Sequence, residues 1–583
     1  MIIKNLQKIL DKKQKRKVLF LLIMMIFCAG FEMTTVTLII PLVSVIMNTE
    51  MIQTNAYLKF FYDLFDMKTE NQFLILLVLT LCAAYIIKNI FMLLLYNLQA
   101  NFVTKNQFKL SKELLENFMN RPYEYYLNAS TGDIIRIIQW DVGNVFMLLN
   151  NLLSFVSELF IFVALVVLLL VVDWGMTLGI AMLLGVTMFV TKFAFKKPLV
   201  RAGEKTQKYS SIMNKWLLQS IEGIKEIKIL HKEKKFIYQY ELNGKKNAKV
   251  QKQNAVLSQT PRLLIETVSM CGMLGIIAII LANGRHIENM LPQIAAFGMA
   301  AVRLMPSANR MNTYLNAISF LEPSLITVCD NIAYVPERKS AKEIYNNGEI
   351  REKDLSSEIV LSHIQYAYPN VETNLFEDAN MTIPAGKSVA VIGASGAGKT
   401  TIIDILLGLL EPQKGSVLFD GIDVTTDYNG WLSKIGYIPQ SIFMLDDTIK
   451  GNIAFGLDDK DVDENRVWEV LEDAQLADHI RSLPDGIYTE IGEKGVRLSG
   501  GQRQRLGIAR ALYHNPDILV FDEATSALDN ETEAAIMDSI NRFQGKKTMV
   551  IIAHRLGTIK DCDYIYKVEN GKIYLDKEKA TIK

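Results

Sequence analysis

Gly393-Ala394-Ser395-Gly396-Ala397-Gly398-Lys399-Thr400 follows an apolar run at 389–392 and opens a helical period at 401–410. The spacing is G-x-x-x-x-G-K-[ST], set between a strand and a helix, which is the context the motif needs. Its glycines let backbone N–H groups close around phosphate oxygens, and the helix N-terminus adds partial positive charge. The sequence therefore predicts a polyphosphate cradle of Gly393, Ala394, Ser395, Gly396, Ala397 and Gly398. Lys399 reaches the β/γ-phosphates, the Thr400 hydroxyl holds Mg²⁺, and Thr401 completes the nucleotide contacts.

A second acidic element lies downstream. The run 518–521 reads as a buried strand and ends in Asp522-Glu523. Asp522 is expected on Mg²⁺ and Glu523 beside an attacking water as general base or polariser. From about residue 357, β-rich runs at 388–392, 517–521 and 548–552 alternate with helical periods. That alternation predicts an α/β layer domain with a largely parallel sheet.

Upstream the chain changes character. Half of the 583 residues are hydrophobic while 21% are charged, so two classes of segment are segregated along the chain. Six apolar stretches occur, at about 18–46, 72–97, 147–172, 174–195, 263–283 and 289–320. About 20 apolar helical residues cross a hydrocarbon core. The stretch 161–172 is unbroken apolar, and the sixth is interrupted by Arg303 and Arg310. Six spans are expected within residues 1–321, a linker over 322–356 and the α/β domain over 357–583. Lys12, Lys13, Lys15, Arg16 and Lys17 precede the first span, and a lysine-dense segment separates the fourth from the fifth. Both therefore lie on the cytoplasmic side, and so does the α/β domain. Formal net charge is +1, which gives no reason to expect a nucleic-acid partner. The five scattered cysteines fit neither a disulfide framework nor a zinc site.

Leu498-Ser499-Gly500-Gly501-Gln502-Arg503-Gln504-Arg505 lies between the phosphate loop and the acidic strand. In that order it resembles the signature motif of ABC transporter ATPase domains. The resemblance extends from 357 to about 575 and implies further roles. Tyr368 matches the aromatic that stacks on adenine, and Gln440 the glutamine joining Mg²⁺ to the membrane domain. Asp529, in Ser526-Ala527-Leu528-Asp529, matches the loop that crosses the dimer, and His554 the switch histidine near the γ-phosphate. Gly492-Glu493-Lys494-Gly495 matches a segment that touches the membrane domain. In that family Ser499, Gly500, Gly501 and Gln502 would close over ATP held by a second subunit. The resemblance thus implies a half-transporter of the exporter type: an all-α six-helix membrane domain followed by a P-loop ABC ATPase domain. With Glu523 intact, a homodimer with two working sites is expected, and no periplasmic binding protein.

Charges inside membrane helices bear on the cargo. Lys88 falls in the second stretch, Arg262 at the start of the fifth helix and Arg303 and Arg310 in the sixth stretch, and Arg303, Ser307, Arg310 and Tyr314 fall near one helical stripe. They are expected to line a cavity for an anionic group, since arginine's fork of donors suits phosphate. Ion pairs with Glu32, Glu158 or Glu266, or snorkelling to headgroups, are the alternative. In the first outer loop, Tyr57, Phe60, Phe61, Leu64 and Phe65 recur at i, i+3, i+4, i+7 and i+8, as in a short helix lying at the membrane interface. Together these features resemble the lipid-linked oligosaccharide flippases of the exporter class. The sequence predicts ATP- and Mg²⁺-dependent export or flipping of a (pyro)phosphate-headed amphipathic lipid across a bacterial-type plasma membrane. A multidrug or apolar-lipid exporter, or a peptide exporter, remains the alternative.

Overall fold

The computed structural model describes residues 2–47, 51–65, 67–172, 174–282, 291–333, 350–351, 353–369, 371, 373–523, 542–552 and 561–578. The chain divides into two compact units, one of Met1–Met119 with Ala129–Val335, the other of Asn120–Asn128 with Pro336–Lys583.

The first unit is helical. An N-terminal helix α1 (Ile2–Ile9) precedes α2 (Lys12–Met47), and two short helices, α3 (Met51–Thr54) and α4 (Ala56–Leu64), lead into α5 (Glu70–Met119). After α6 (Tyr123–Asn128), which belongs to the second unit, come α7 (Thr131–Arg136), a π-helical turn Ile137–Asp141, and α8 (Val142–Val172). The long helices α9 (Trp174–Glu222), α11 (Glu233–Ala282) and α12 (Leu291–Ile332) complete it, with the short α10 (Ile224–Ile229) between α9 and α11. Among the described residues, four helical segments are long and apolar enough to cross a membrane, within Lys12–Thr35, Glu70–Met119, Thr131–Leu170 and Thr177–Glu222. At 1.5 Å per residue a helix the length of α5 reaches about 75 Å, far more than a ~30 Å hydrocarbon core. Its surplus turns carry Lys105, Lys109, Lys112 and Glu113, so they belong in water. The helix α12 continues to Ile332, through the first part of the 322–356 stretch expected as linker.

A buried polar junction fixes these extensions. Asp141 is 1% exposed and accepts from Ser324 Oγ of α12 at 2.9 Å and from Gln207 Nε2 of α9 at 3.0 Å. It also pairs with Arg136. A carboxylate this deep is tolerated because each partner replaces a lost water.

The helix α4 forms where the apolar period predicts it. Asn55 caps it, accepting from the Tyr57 and Leu58 amides. Leu58 and Tyr62 pack with Val45, Ile52 and Phe73, while Tyr57, Phe60, Phe61, Leu64 and Phe65 are exposed.

The second unit contains two sheets. One is four-stranded and antiparallel, in the order β2 (Phe376–Pro384), β1 (Glu358–Tyr366), β4 (Lys414–Phe419), β5 (Ile422–Asp423). It was not expected. The other is six-stranded, in the order β10 (Lys572–Glu578), β9 (Tyr564–Glu569), β3 (Ser388–Gly393), β8 (Thr548–Ile552), β7 (Ile518–Asp522), β6 (Ile435–Ile438). It is parallel except for the β9–β10 hairpin.

The six-stranded sheet is apolar on both faces because both are covered. Leu519, Phe521, Met549 and Ile551 point to one side, onto Leu506, Ile508, Ala509 and Leu512 of the helix Gly500–Tyr513. Ile518, Val520, Val550 and Ile552 point to the other, onto Ile402, Ile403, Ile405 and Leu406 of the helix Lys399–Leu406. The period of two in each strand sets this division. Because β3, β6, β7 and β8 run parallel, their C-terminal ends share one edge.

Candidate functional site

That edge carries the chemistry. Strand β3 ends in Gly393 (φ 157°) and the loop passes through Gly396 (φ 81°) and Gly398 (φ 100°) before the helix Lys399–Leu406 begins. A Cβ on Gly393 would lie 2.5 Å from the Val568 carbonyl oxygen, and one on Gly398 would lie 2.8 Å from the Phe376 ring. Only glycine fits these two positions. Ala394, Ser395, Gly396 and Thr400 are exposed, so the loop faces outward. Lys399 is buried, and its Nζ donates to the Gly393 and Ala394 carbonyls at 3.1 and 3.0 Å. An incoming phosphate would offer anionic acceptors in place of these neutral carbonyls, which makes a stronger bond.

Strand β7 delivers the acidic pair. Asp522 is buried, and its Oδ2 accepts from the Tyr437 hydroxyl at 3.3 Å. Burial pushes the Asp522 carboxyl up, against the Tyr437 hydrogen bond, while the neighbouring Glu523 pushes it up further. Lys399 acts on it in the opposite sense. Burial and the negative Asp522 also raise Asp404, on the phosphate-loop helix, to about 6. Glu523 sits just past the strand at φ 47°, a left-handed turn held by its amide on the Ile552 carbonyl. Its Oε2 accepts from Gln440 Nε2 at 2.7 Å. Gln440 follows β6, and β6 pairs with β7. Neighbouring strands thus join residues 83 apart in sequence.

Asp404 and Asp522 together form an acidic spot whose mutual repulsion a cation would relieve. Among the described residues there is no cluster of three or more His, Cys, Asp or Glu able to hold a metal alone. This donor set fits Mg²⁺, which is typically bound by one or two carboxylates with waters and substrate phosphates.

The remaining expected residues divide. The Tyr368 hydroxyl is 2.8 Å from Thr401 Oγ1, and its ring lies edge-on to Tyr366. This ties the aromatic to the phosphate-loop helix. Ser499 and Gln502 form a capping box on the helix Gly500–Tyr513, Ser499 Oγ accepting from the Gln502 amide at 3.2 Å and Gln502 Oε1 from the Ser499 amide at 2.7 Å. Gln502 Nε2 also meets His479 Nε2 at 2.9 Å. Gly500 has open space at its Cβ position and Gly501 is buried. Among the described residues, no hydrogen bond joins Ser499 or Gln502 to the phosphate loop of the same chain. His554 and Asp529 lie outside the described residues.

In the membrane unit, Arg310 donates from Nε and Nη2 to both oxygens of Glu158, at 2.9 and 2.8 Å. Ser307 donates to the same carboxylate at 2.7 Å. Lys88 pairs with Glu32. Arg262 is exposed on α11, and the side chain of Arg303 lies outside the described residues. Lys88 and Arg310 are therefore held by carboxylates, the arrangement set beside the anion cavity as its alternative.

Three further groups lie at this edge without having been expected from the sequence. Tyr437 was seen only as a neighbour of Gln440, and Asp404 is a lone acid on an otherwise apolar helix face, which was a usable signal. Tyr123 of α6 lies within electrostatic reach of Asp404 and Tyr368, and burial raises its hydroxyl.

Two family models match the chain. Residues 37–290 match the ABC transporter transmembrane region, and residues 376–526 match ABC transporter. Together they cover more than half of the sequence. An ATP-dependent lipid A-core flippase of Bordetella avium (strain 197N) is 29% identical over 476 residues, 79% of this chain and 77% of that protein. ATP-binding cassette sub-family B member 10, mitochondrial, of Mus musculus is 41% identical over 233 residues, 39% of this chain and 33% of that one. Among solved structures, a bacterial Atm1-family ABC exporter with ATP bound aligns with a TM-score of 0.78 at 20% identity, covering 97% of this chain and 95% of that one. At that identity the likeness is one of fold.

Proposed function

The chain belongs to the ABC transporter family, with the membrane and ATPase domains of an exporter fused in one polypeptide, and we propose that two copies form a homodimer that flips a phosphate-headed amphipathic lipid. Hydrolysis of ATP is coupled to transport through the membrane-spanning unit. The observation that carries the engine reading is the Gln440–Glu523 hydrogen bond at the sheet edge that also holds Lys399 and Asp522.

In this reading the backbone of Gly393, Ala394, Ser395, Gly396, Ala397 and Gly398 binds the phosphates, Lys399 exchanges its two loop carbonyls for phosphate oxygens, and Thr401 supports the loop. Tyr368 presents its ring to adenine. Thr400, Asp522 and Gln440 would hold Mg²⁺, which supplies charge neutralisation on the phosphates. Glu523 orients water, Gln440 sets the Glu523 carboxylate, and His554 acts near the γ-phosphate. Ser499, Gly500, Gly501 and Gln502 close over the ATP of the second copy, and Asp529 lies in the loop that crosses to it. The N-terminus and ATPase domain are cytoplasmic, in a bacterial-type plasma membrane.

The cargo reading rests on cations at membrane depth, Lys88 and Arg310, and on relatives named as lipid A-core flippases. The exposed apolar face of α4 suits the outer interface, where a lipid tail would pass. The test is ATP hydrolysis by protein in vesicles, supplied with phosphate-headed lipids, lipid-linked sugars, apolar drugs or peptides. Stimulation by phosphate-headed amphiphiles alone supports the reading. Stimulation by drugs alone replaces it with a multidrug exporter.

A further inference from the structure

Four charged side chains from four helices pair off inside the membrane unit. Glu158 of α8 binds Arg310 of α12 through both oxygens, and Glu32 of α2 binds Lys88 of α5. The two pairs lie within electrostatic reach of each other, Arg310 of Glu32, and Cys28 of Glu32, Lys88 and Glu158. Their net charge is zero.

The two members of the first pair are unequally open. The Glu158 side chain is 8% exposed and that of Arg310 is 53%. Ser307, fully buried, adds a third hydrogen bond to the Glu158 carboxylate. The guanidinium therefore presents a surface while its counter-ion is fixed beneath it. An anion that drew Arg310 away would strand Glu158, and a cation that took Glu158 would strand Arg310. The first leaves the buried Glu158 uncompensated at low dielectric, which is strongly unfavourable, and the second leaves Arg310 without its counter-ion. A ligand bringing both charges avoids this. Its phosphate takes the cations while its ammonium takes the carboxylates, and the number of ion pairs is conserved.

We propose that the Glu32–Lys88–Glu158–Arg310 cluster is a subsite for a zwitterionic headgroup, one phosphate and one ammonium, with phosphate on Arg310 and Lys88 and ammonium on Glu158 and Glu32. This rests on the reading of the cargo as a phosphate-headed amphipathic lipid, and it narrows that class. Glu158 acts as a selectivity determinant that disfavours a purely anionic headgroup.

The experiment uses full-length protein in an uncharged maltoside detergent, with phosphatidylethanolamine or phosphatidic acid of identical acyl chains added. The half-saturating lipid concentration for stimulated ATP hydrolysis is read for each. The wild-type protein should favour phosphatidylethanolamine by about tenfold or more. Glu158→Gln should invert the ratio in favour of phosphatidic acid, since Arg310 then lacks its counter-ion. Should Glu158→Gln fail to fold, Glu158→Gln with Arg310→Gln strands no charge, and it should lose the preference. Equal response of the wild type to both lipids overturns the inference, as does an unchanged ratio in Glu158→Gln or a preference retained in the double variant. If neither lipid stimulates the wild type, the phosphate-headed cargo falls first, and the inference with it.

Discussion

Gln440 Nε2 lies 2.7 Å from Glu523 Oε2, a hydrogen bond that joins the loop after one strand to the end of its neighbour. That hydrogen bond orients the carboxylate. Glu523→Gln keeps the size of the side chain but removes its charge and most of its basicity. ATP should still bind, because the phosphate loop is untouched, while phosphate release falls by about 100-fold or more. Radiolabelled nucleotide retained after gel filtration, beside a phosphate-release assay, checks both halves. Near-normal turnover in purified Glu523→Gln protein contradicts the role.

Ser499 is engaged with Gln502 in its own chain, as the cap of a 14-residue helix. Ser499→Ala should therefore cost about 1 kcal/mol of stability by loss of the cap, in addition to any loss of turnover. Ser499→Thr keeps the cap and isolates the second effect. If Ser499 serves the partner's ATP, mixing a Ser499→Ala chain with a Lys399→Ala chain leaves one intact composite site per mixed dimer. ATP hydrolysis should recover partially on mixing. A stable monomer that hydrolyses ATP at the full rate would exclude the composite site.

The strand–loop–helix cradle is legible in the sequence because its residues are contiguous, with fixed spacing between an apolar strand and a helix. Gly393 and Gly398 both take positive φ, and glycine at each is fixed by the motif itself, although the atoms that exclude a Cβ there, on Val568 and Phe376, come from distant parts of the chain. The Gln440–Glu523 pair was not legible as a contact, since it depends on β6 lying beside β7 in a sheet whose order does not follow the chain. The antiparallel sheet β2-β1-β4-β5 was missed for a related reason. Its strands alternate buried and partly exposed residues without the continuous apolar runs that mark β3, β7 and β8. In the membrane unit, helical period placed Ser307 and Arg310 near one stripe, and both bind Glu158. Period alone does not say which neighbouring helix faces that stripe.

Breaking the intramembrane pair should be costlier than removing it. Arg310→Ala leaves Glu158 without its bidentate partner, and the melting temperature should fall. In a Glu158→Gln background the same change should matter less. A double-mutant cycle should give a coupling of about 1–2 kcal/mol. Additive effects would show that the pair contributes no net interaction to the folded membrane unit.

Asp404 supplies a pH signature. Its carboxyl is raised to about 6 by burial and by Asp522, so the folded ATPase unit favours the protonated form. The penalty is absent below the ordinary aspartate range and fully present once pH passes about 6. Asp404→Asn should therefore stabilise the metal- and nucleotide-free protein at pH 7.5 relative to wild type, with a smaller gain at pH 5. Thermal unfolding in EDTA at the two pH values reads the difference. A gain that does not change with pH would place the effect elsewhere.

In the proposed cycle, hydrolysis at Glu523 drives a phosphate-headed lipid across the membrane. Purified protein in vesicles, with a fluorescently labelled phosphate-headed lipid and an impermeant quencher, reads leaflet exchange directly. With ATP and Mg²⁺ the wild type should change the accessible fraction, and Glu523→Gln should not. Exchange that proceeds equally without ATP, or equally in Glu523→Gln, would show that hydrolysis at Glu523 does not drive the lipid.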